Sequence, residues 1–201
     1  LDKGEMRMYR NNLVRVEGQP ENGDPVDIET ENKRYLGTGF YSECSHIVVR
    51  LITKNPHICI DREFFKQRIQ FAYDFRKTVE AENLTNCRLV FGEADQLPGL
   101  TVDRYNEILV TQISSFGMDM LKAMIYELLL EILREDGQNI QGIYERNDIQ
   151  VRLKEGLPME KGFWGGIFLP TTKLIYINVL TLKFNKKNGK KTGYILAHQS
   201  Y

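Results

Sequence analysis

The stretch RLVFGEADQLPGLTVDRYNEILVTQI, residues 88–113, decides the architecture. Cys87 to Phe91, Leu100 to Tyr105 and Ile108 to Ile113 carry their apolar residues with a period of two, as strands do. A Pro98-Gly99 turn separates the first two, and Asp103 to Glu107 reads as the turn region of a hairpin. Helical periodicity lies on either side. From Asp61 to Glu82, Phe65, Ile69, Ala72 and Val79 share a face that Phe64, Phe71 and Phe75 widen, with Asp61 as the N-cap. A second helix runs from about Met118 to Arg134, capped by Ser114/Ser115, striped by Leu121, Met124, Ile125, Leu128 and Ile132, and stopped by Gly137.

Outward from this centre the order of elements predicts an α+β fold, not a doubly wound one. Residues 1–60 read as a small β-barrel, with Val26 to Ile28 and Ile47 to Ile52 as strands between closely spaced turn residues. Residues 61–85 hold the connecting helix, 86–178 an α+β unit of strands, helix and strands, and 179–201 a basic hairpin and tail. Gly142 to Glu145 and Ile149 to Leu153 are expected to pair around an Asn147-Asp148 turn. Lys173 to Asn178 and Leu180 to Asn185 should form a closing hairpin.

The 201 residues suffice for one medium or two small domains, and 42% hydrophobic with 27% charged residues is an ordinary globular composition. No apolar run spans a bilayer, and three scattered cysteines, Cys44, Cys59 and Cys87, suit a reducing cytoplasm better than a disulfide framework. The net charge of zero conceals an asymmetry. Residues 1–160 hold 20 Lys/Arg against 27 Asp/Glu, whereas 161–201 hold seven lysines and no acid. Lys183, Lys186, Lys187, Lys190 and Lys191 form a cluster that either neutralises phosphates or is a solvated hairpin tip.

Three constellations invite chemistry. Cys44-x-His46 and His57-x-Cys59 could converge on a metal if both lie on strands, but they lack zinc-knuckle spacing and no metal site is assigned. A Cys–His nucleophile would need an activating context that is absent. Glu93 and Asp95 could act as a general acid/base pair, though carboxylates in a Gly-Pro loop more often tie down backbone. No glycine-rich nucleotide cradle occurs.

FGEADQLPGLTVDRYNEILVTQ, residues 91–112, resembles the central signature of large-subunit ribosomal RNA methyltransferases that use S-adenosylmethionine (SAM) to methylate C5 of a cytosine in 23S rRNA. Residues 23–53 resemble that family's N-terminal PUA domain, a small RNA-binding barrel. IDREFFKQRIQFAYDFRKTV, residues 60–79, is similar to its interdomain helix, and YERNDIQVRLKEGLPMEKGFWGG, residues 144–166, to the stretch after the middle domain's helix. The resemblance implies a Rossmann-like SAM domain beyond Tyr201 that this sequence does not contain. It also implies that the reaction's nucleophilic cysteine lies there, so no catalytic residue is assigned here and this sequence alone is expected to be inactive and to bind no SAM.

The family's last motif, part of the cofactor pocket, is matched by Lys191, Thr192, Gly193 and Tyr194, with Leu196. Lys190, Ile195, Ala197 and His198 depart from it. The expected function is therefore the RNA-recognition and scaffold portion of such an enzyme, or a stand-alone RNA-binding relative without catalysis. The candidate RNA contacts are Lys33, Arg34, Arg50, Arg104, Lys186, Lys187 and Lys190, with 23S rRNA as the partner, no membrane, and a homodimer compatible with the reading.

Overall fold

The computed structural model describes residues 6–166 and the backbone of two further strands, Thr172–Ile177 and Leu180–Asn185. Four strands open the chain: β1 (Arg7–Tyr9), β2 (Pro25–Glu29), β3 (Tyr35–Tyr41) and β4 (Ile47–Thr53). They form one antiparallel sheet in the order β1-β4-β3-β2. Among the described residues this sheet stays open, with β1 and β2 as its edges, and the closed ring of strands expected from the turn spacing does not form. Met6 and Leu13, which flank β1, pack with Val26, Leu36 and Tyr41 on its apolar cluster of Met8, Ile28, Val48, Val49 and Leu51.

Helix α1 (Arg62–Val79) begins where the sequence places it, and the Asp61 carboxylate accepts the Phe64 N–H at 3.0 Å. The sheet that follows holds β5 (Arg88–Phe91), β6 (Leu100–Tyr105), β7 (Ile108–Ile113), β8 (Gly142–Asn147) and β9 (Glu160–Phe163), hydrogen-bonded in that order. All neighbours are antiparallel except β7 and β8. That parallel pair needs a crossover, which α2 (Phe116–Met120) and α3 (Lys122–Glu135) supply. The expected second helix is thus two, broken at Leu121. α1, α3 and the sheet bury one core that includes Phe65, Ile69, Leu100, Leu109, Ile125, Leu128, Ile132 and Ile143.

Three sequence expectations change here. The run from Ile149 is not a strand: α4 (Gln150–Lys154) is helical, and β8 pairs with β9 instead, Asn147 opposite Glu160. The reason is burial. Asn147 is fully buried, its Oδ1 accepting the Ile113 N–H at 2.8 Å, so it is not a solvent-exposed turn. Arg152 is equally buried, donating to the carbonyls of Ile113 and Pro158 and to Asp119. On α1, Phe71, Phe75 and Val79 are exposed, because they lie about 90° or more around the helix from the Phe65–Ile69–Ala72–Arg76 ridge (Val79 by its place in the last turn). β10 (Thr172–Ile177) and β11 (Leu180–Asn185) do pair antiparallel as expected. Among the described residues no helix is long and apolar enough to cross a membrane.

The first sheet does not stand apart from the second. Ile52 of β4 belongs to the larger core, and Phe40 of β3 packs against it. A Cβ on Gly117 of α2 would lie 2.3 Å from the Phe40 Cβ, so only glycine lets strand and helix approach this closely. Gly117→Ala is therefore expected to destabilise the chain by about 1–3 kcal/mol. Urea unfolding would measure it, and Phe40→Ala in the same chain should cost less on the G117A background than on the wild type.

Candidate functional site

Between the two sheets lies a buried ionic cluster. Glu155, 2% exposed just after α4, receives two hydrogen bonds from Arg50 of β4, at 3.0 and 2.8 Å. The hydroxyls of Ser42 and Ser45, from the β3–β4 turn, donate to the same carboxylate at 3.1 and 2.5 Å. One charge is thus met by three side chains of the other sheet, which satisfies its desolvation cost. A second tie is more exposed: Arg7 of β1 donates to Glu93 at 2.7 Å. Burial alone would raise the Glu93 carboxyl, but the Arg7 hydrogen bond and charge outweigh it and hold the group below its ordinary value of 4.5.

These contacts reassign several residues. Arg50, expected to face RNA, is 8% exposed and committed to Glu155. Arg104, also expected to face RNA, is 3% exposed. Its Nε donates to the Asn106 carbonyl and its Nη2 to Gln138, both at 2.9 Å, and burial lowers its pKa. Neither guanidinium can reach a phosphate without breaking the core. Asp95 takes Arg76 in a bidentate pair at 3.2 and 2.7 Å and accepts the Phe91 N–H. Glu93 and Asp95 therefore fasten backbone and sheet rather than forming an acid/base couple.

Lys33 and Arg34 remain exposed at the β2–β3 turn, where Lys33 adopts a left-handed φ of 56°. That turn borders an open groove of about 860 Å³ in the first unit. Met8, Leu13, Val26, Ile28 and Leu36 line its apolar part, and Asn12, Arg15, Glu17, Asp27, Glu29 and Lys33 its polar part. Such a surface offers apolar contact and hydrogen-bonding groups as well as charge. Among the described residues no three His, Cys, Asp or Glu side chains gather as a metal-binding group. Cys44 and Cys59 are exposed, whereas Cys87 is buried, which pushes its thiol up to about 12. Lys186, Lys187, Lys190, Lys191, Thr192, Gly193 and Tyr194 lie outside the described residues.

Sequence reasoning missed Glu155 altogether, since nothing local marks it. The signal for Arg50 was present: a single cation inside the apolar run IVVRLIT is either protruding or paired. Glu155→Ala should destabilise the chain by about 3–5 kcal/mol, because it strands Arg50 without a counter-charge, while Arg50→Met with Glu155→Leu should cost less than E155A alone. Denaturant titration of the three variants distinguishes these outcomes. The Arg7–Glu93 pair contributes stability above pH 4.5 that disappears as pH falls through the lowered Glu93 value. Glu93→Gln should flatten the acid limb of the stability profile, by less than about 1 kcal/mol for so exposed a pair. At pH 8 a thiol reagent should label Cys44 and Cys59 in the folded chain, and Cys87 only on unfolding.

Known proteins share the sequence and fold of this chain. Residues 1–54 match the family model described as a PUA-like domain. The chain is 35% identical over 98% of its length to ribosomal RNA large subunit methyltransferase I of Shewanella amazonensis, covering 48% of that protein. It is 34% identical over 94% of its length to the protein of the same name from Aliivibrio fischeri, covering 47% of it. Among solved structures, a putative SAM-dependent methyltransferase from Streptococcus mutans has the same fold, with a TM-score of 0.76 at 20% identity over 97% of this chain and 48% of that one. A putative methyltransferase complexed with SAH superposes with a TM-score of 0.77, also at 20% identity, over 97% of this chain and 47% of that one. The chain spans about half the length of the curated relatives it matches. It carries a PUA-like domain joined to a mixed α+β unit, and over nearly its whole length it is similar in sequence to ribosomal RNA large subunit methyltransferase I proteins.

Proposed function

We propose that this chain is the RNA-recognition and scaffold portion of a SAM-dependent methyltransferase acting on C5 of a cytosine in 23S rRNA. The observation that carries this reading is the locked junction. A PUA-like sheet fixed to its neighbour by the buried Arg50–Glu155 pair presents RNA-binding surface at a constant distance and angle from whatever the second unit holds. Methylation of one base in a large RNA needs that constancy, because orientation against the methyl donor supplies much of the rate. Similarity to rRNA methyltransferases over nearly the whole chain supports the substrate class.

On this reading the RNA contacts are the exposed Lys33 and Arg34, with Lys186, Lys187 and Lys190 as a phosphate-facing strip. Lys191, Thr192, Gly193 and Tyr194 contribute to a SAM pocket completed by polypeptide such as the relatives possess, so the chain alone is expected to show no micromolar SAM affinity by calorimetry. Arg50 and Arg104 leave the list of contacts and act on stability alone.

Fluorescence anisotropy with a 23S rRNA fragment across a salt series tests the proposal. Binding should weaken steeply with salt. Replacing Lys186, Lys187, Lys190 and Lys191 together by alanine should reduce the slope of log K against log salt by about 3. An unchanged slope removes the lysine strip, and absence of salt-dependent binding removes RNA recognition itself.

A further inference from the structure

The groove of about 860 Å³ in the first unit runs along a free sheet edge. One wall is the consecutive run Val26 to Glu31, which includes β2 from its second residue onward. Alternate residues of a strand face opposite sides of its sheet, so a groove lined by every residue in turn follows the edge and not one face. The other wall is Asn12 to Glu17, in which residues 13–17 have no regular secondary structure. Met8, Leu36, Val48 and Val49 of the same sheet add to the apolar lining.

The backbone beside the groove is open to pairing. The Tyr41 N–H donates to the Asp24 carbonyl, and Val26 and Ile28, two and four residues on, stand opposite Gly39 and Gly37. In an antiparallel ladder only every second residue turns its N–H and C=O to the partner strand, so those of Asp27 turn outward. Among the described residues no strand lies beyond β2. Apolar side chains wait across the groove: Val14 and Val16 are 76% and 48% exposed. An unpaired edge with such groups beside it is a template for one more strand. β2 has five residues, about 17 Å of edge, which sets the length of segment that pairs with it.

Charge selects the occupant. Glu17, Asp27, Glu29 and Glu31 line the groove against Arg15 and Lys33. Arg15 and Glu17 pair with each other at 2.5 Å, which leaves three carboxylates against one lysine. A phosphate backbone would meet a net negative potential there, and β2 of a second copy would set acid against acid. A cationic strand is complementary on both counts. We propose that this groove binds an extended segment of a partner protein, in which apolar residues alternate with lysine or arginine, as an added strand on β2. Its apolar side chains meet Val14, Val16 and the apolar lining, and its cations meet Glu29 and Glu31. This inference goes beyond the RNA reading and does not rest on it.

Fluorescence anisotropy of the whole chain with a labelled hexapeptide of alternating valine and lysine, blocked at both ends, tests the proposal. Saturable binding is expected below about 1 mM peptide. N-methylation of one alternate set of peptide amides should abolish it, and methylation of the other set should not, because only one set faces β2. Val14→Asp, and Glu29→Lys with Glu31→Lys, all at exposed positions, should each weaken binding at least about tenfold with unchanged thermal unfolding. No saturation, equal loss from both methylated sets, or a hexalysine peptide that binds as well would each overturn the proposal. A Val14→Asp chain that loses rRNA binding but keeps the peptide would give the groove to RNA and overturn it equally. So would a rise of about tenfold in peptide affinity on replacing Lys186, Lys187, Lys190 and Lys191 by alanine, which would make the chain's own lysine segment the occupant.

Discussion

One buried carboxylate organises this molecule. Glu155 lies where two sheets meet and is shielded from solvent, so its charge is stable only while Arg50, Ser42 and Ser45 are in place. Those three residues come from β4 and from the turn that leads into it, whereas Glu155 follows α4. Each side of the junction therefore fixes the other's geometry. Breaking the pair costs far more than forming it gains, which makes the contact a device for specificity of docking more than for net stability. The small radius of Gly117 against Phe40 and the Arg7–Glu93 pair extend the same junction in two further directions.

β4 is the strand through which this works. Val49 and Leu51 enter the small core of the first sheet, while Ile52 enters the large core and Arg50 reaches Glu155. A strand buried on both faces reads as a nearly continuous apolar run, and IVVRLIT does. The functional consequence follows from rigidity. A PUA-like surface carried on a strand shared by both cores keeps its position relative to the second unit, and under the function proposed above that constancy would let RNA recognition at one place orient a reaction at another.

Much of this was legible in the residues. Period-two runs located β5, β6 and β7, and Asp61 marked the start of α1, because local patterns and caps report local structure. What failed was whatever depended on a distant partner. Asn147-Asp148 has the composition of a tight turn, but its amide is consumed by the Ile113 backbone, and the following run folds as a helix around the buried Arg152. Arg50 and Arg104 carry charge that normally seeks solvent or phosphate, yet their partners, Glu155 and Gln138, lie 105 and 34 residues away. Phe71 and Phe75 illustrate the opposite error: apolar composition suggested core, while their angular position on α1 leaves them outside it. The signature around residues 91–112 was informative about ancestry, yet its two carboxylates do structural work.

Whether the two sheets form one cooperative body is the claim on which the rest depends, and native-state hydrogen exchange reads it directly. Amides of β4, from Ile47 to Thr53, should open with the same free energy as those of α3, because neither core can be lost alone. Exchange of β4 through a separate, lower-energy opening, with α3 still protected, would show two independently folding units and contradict the shared junction.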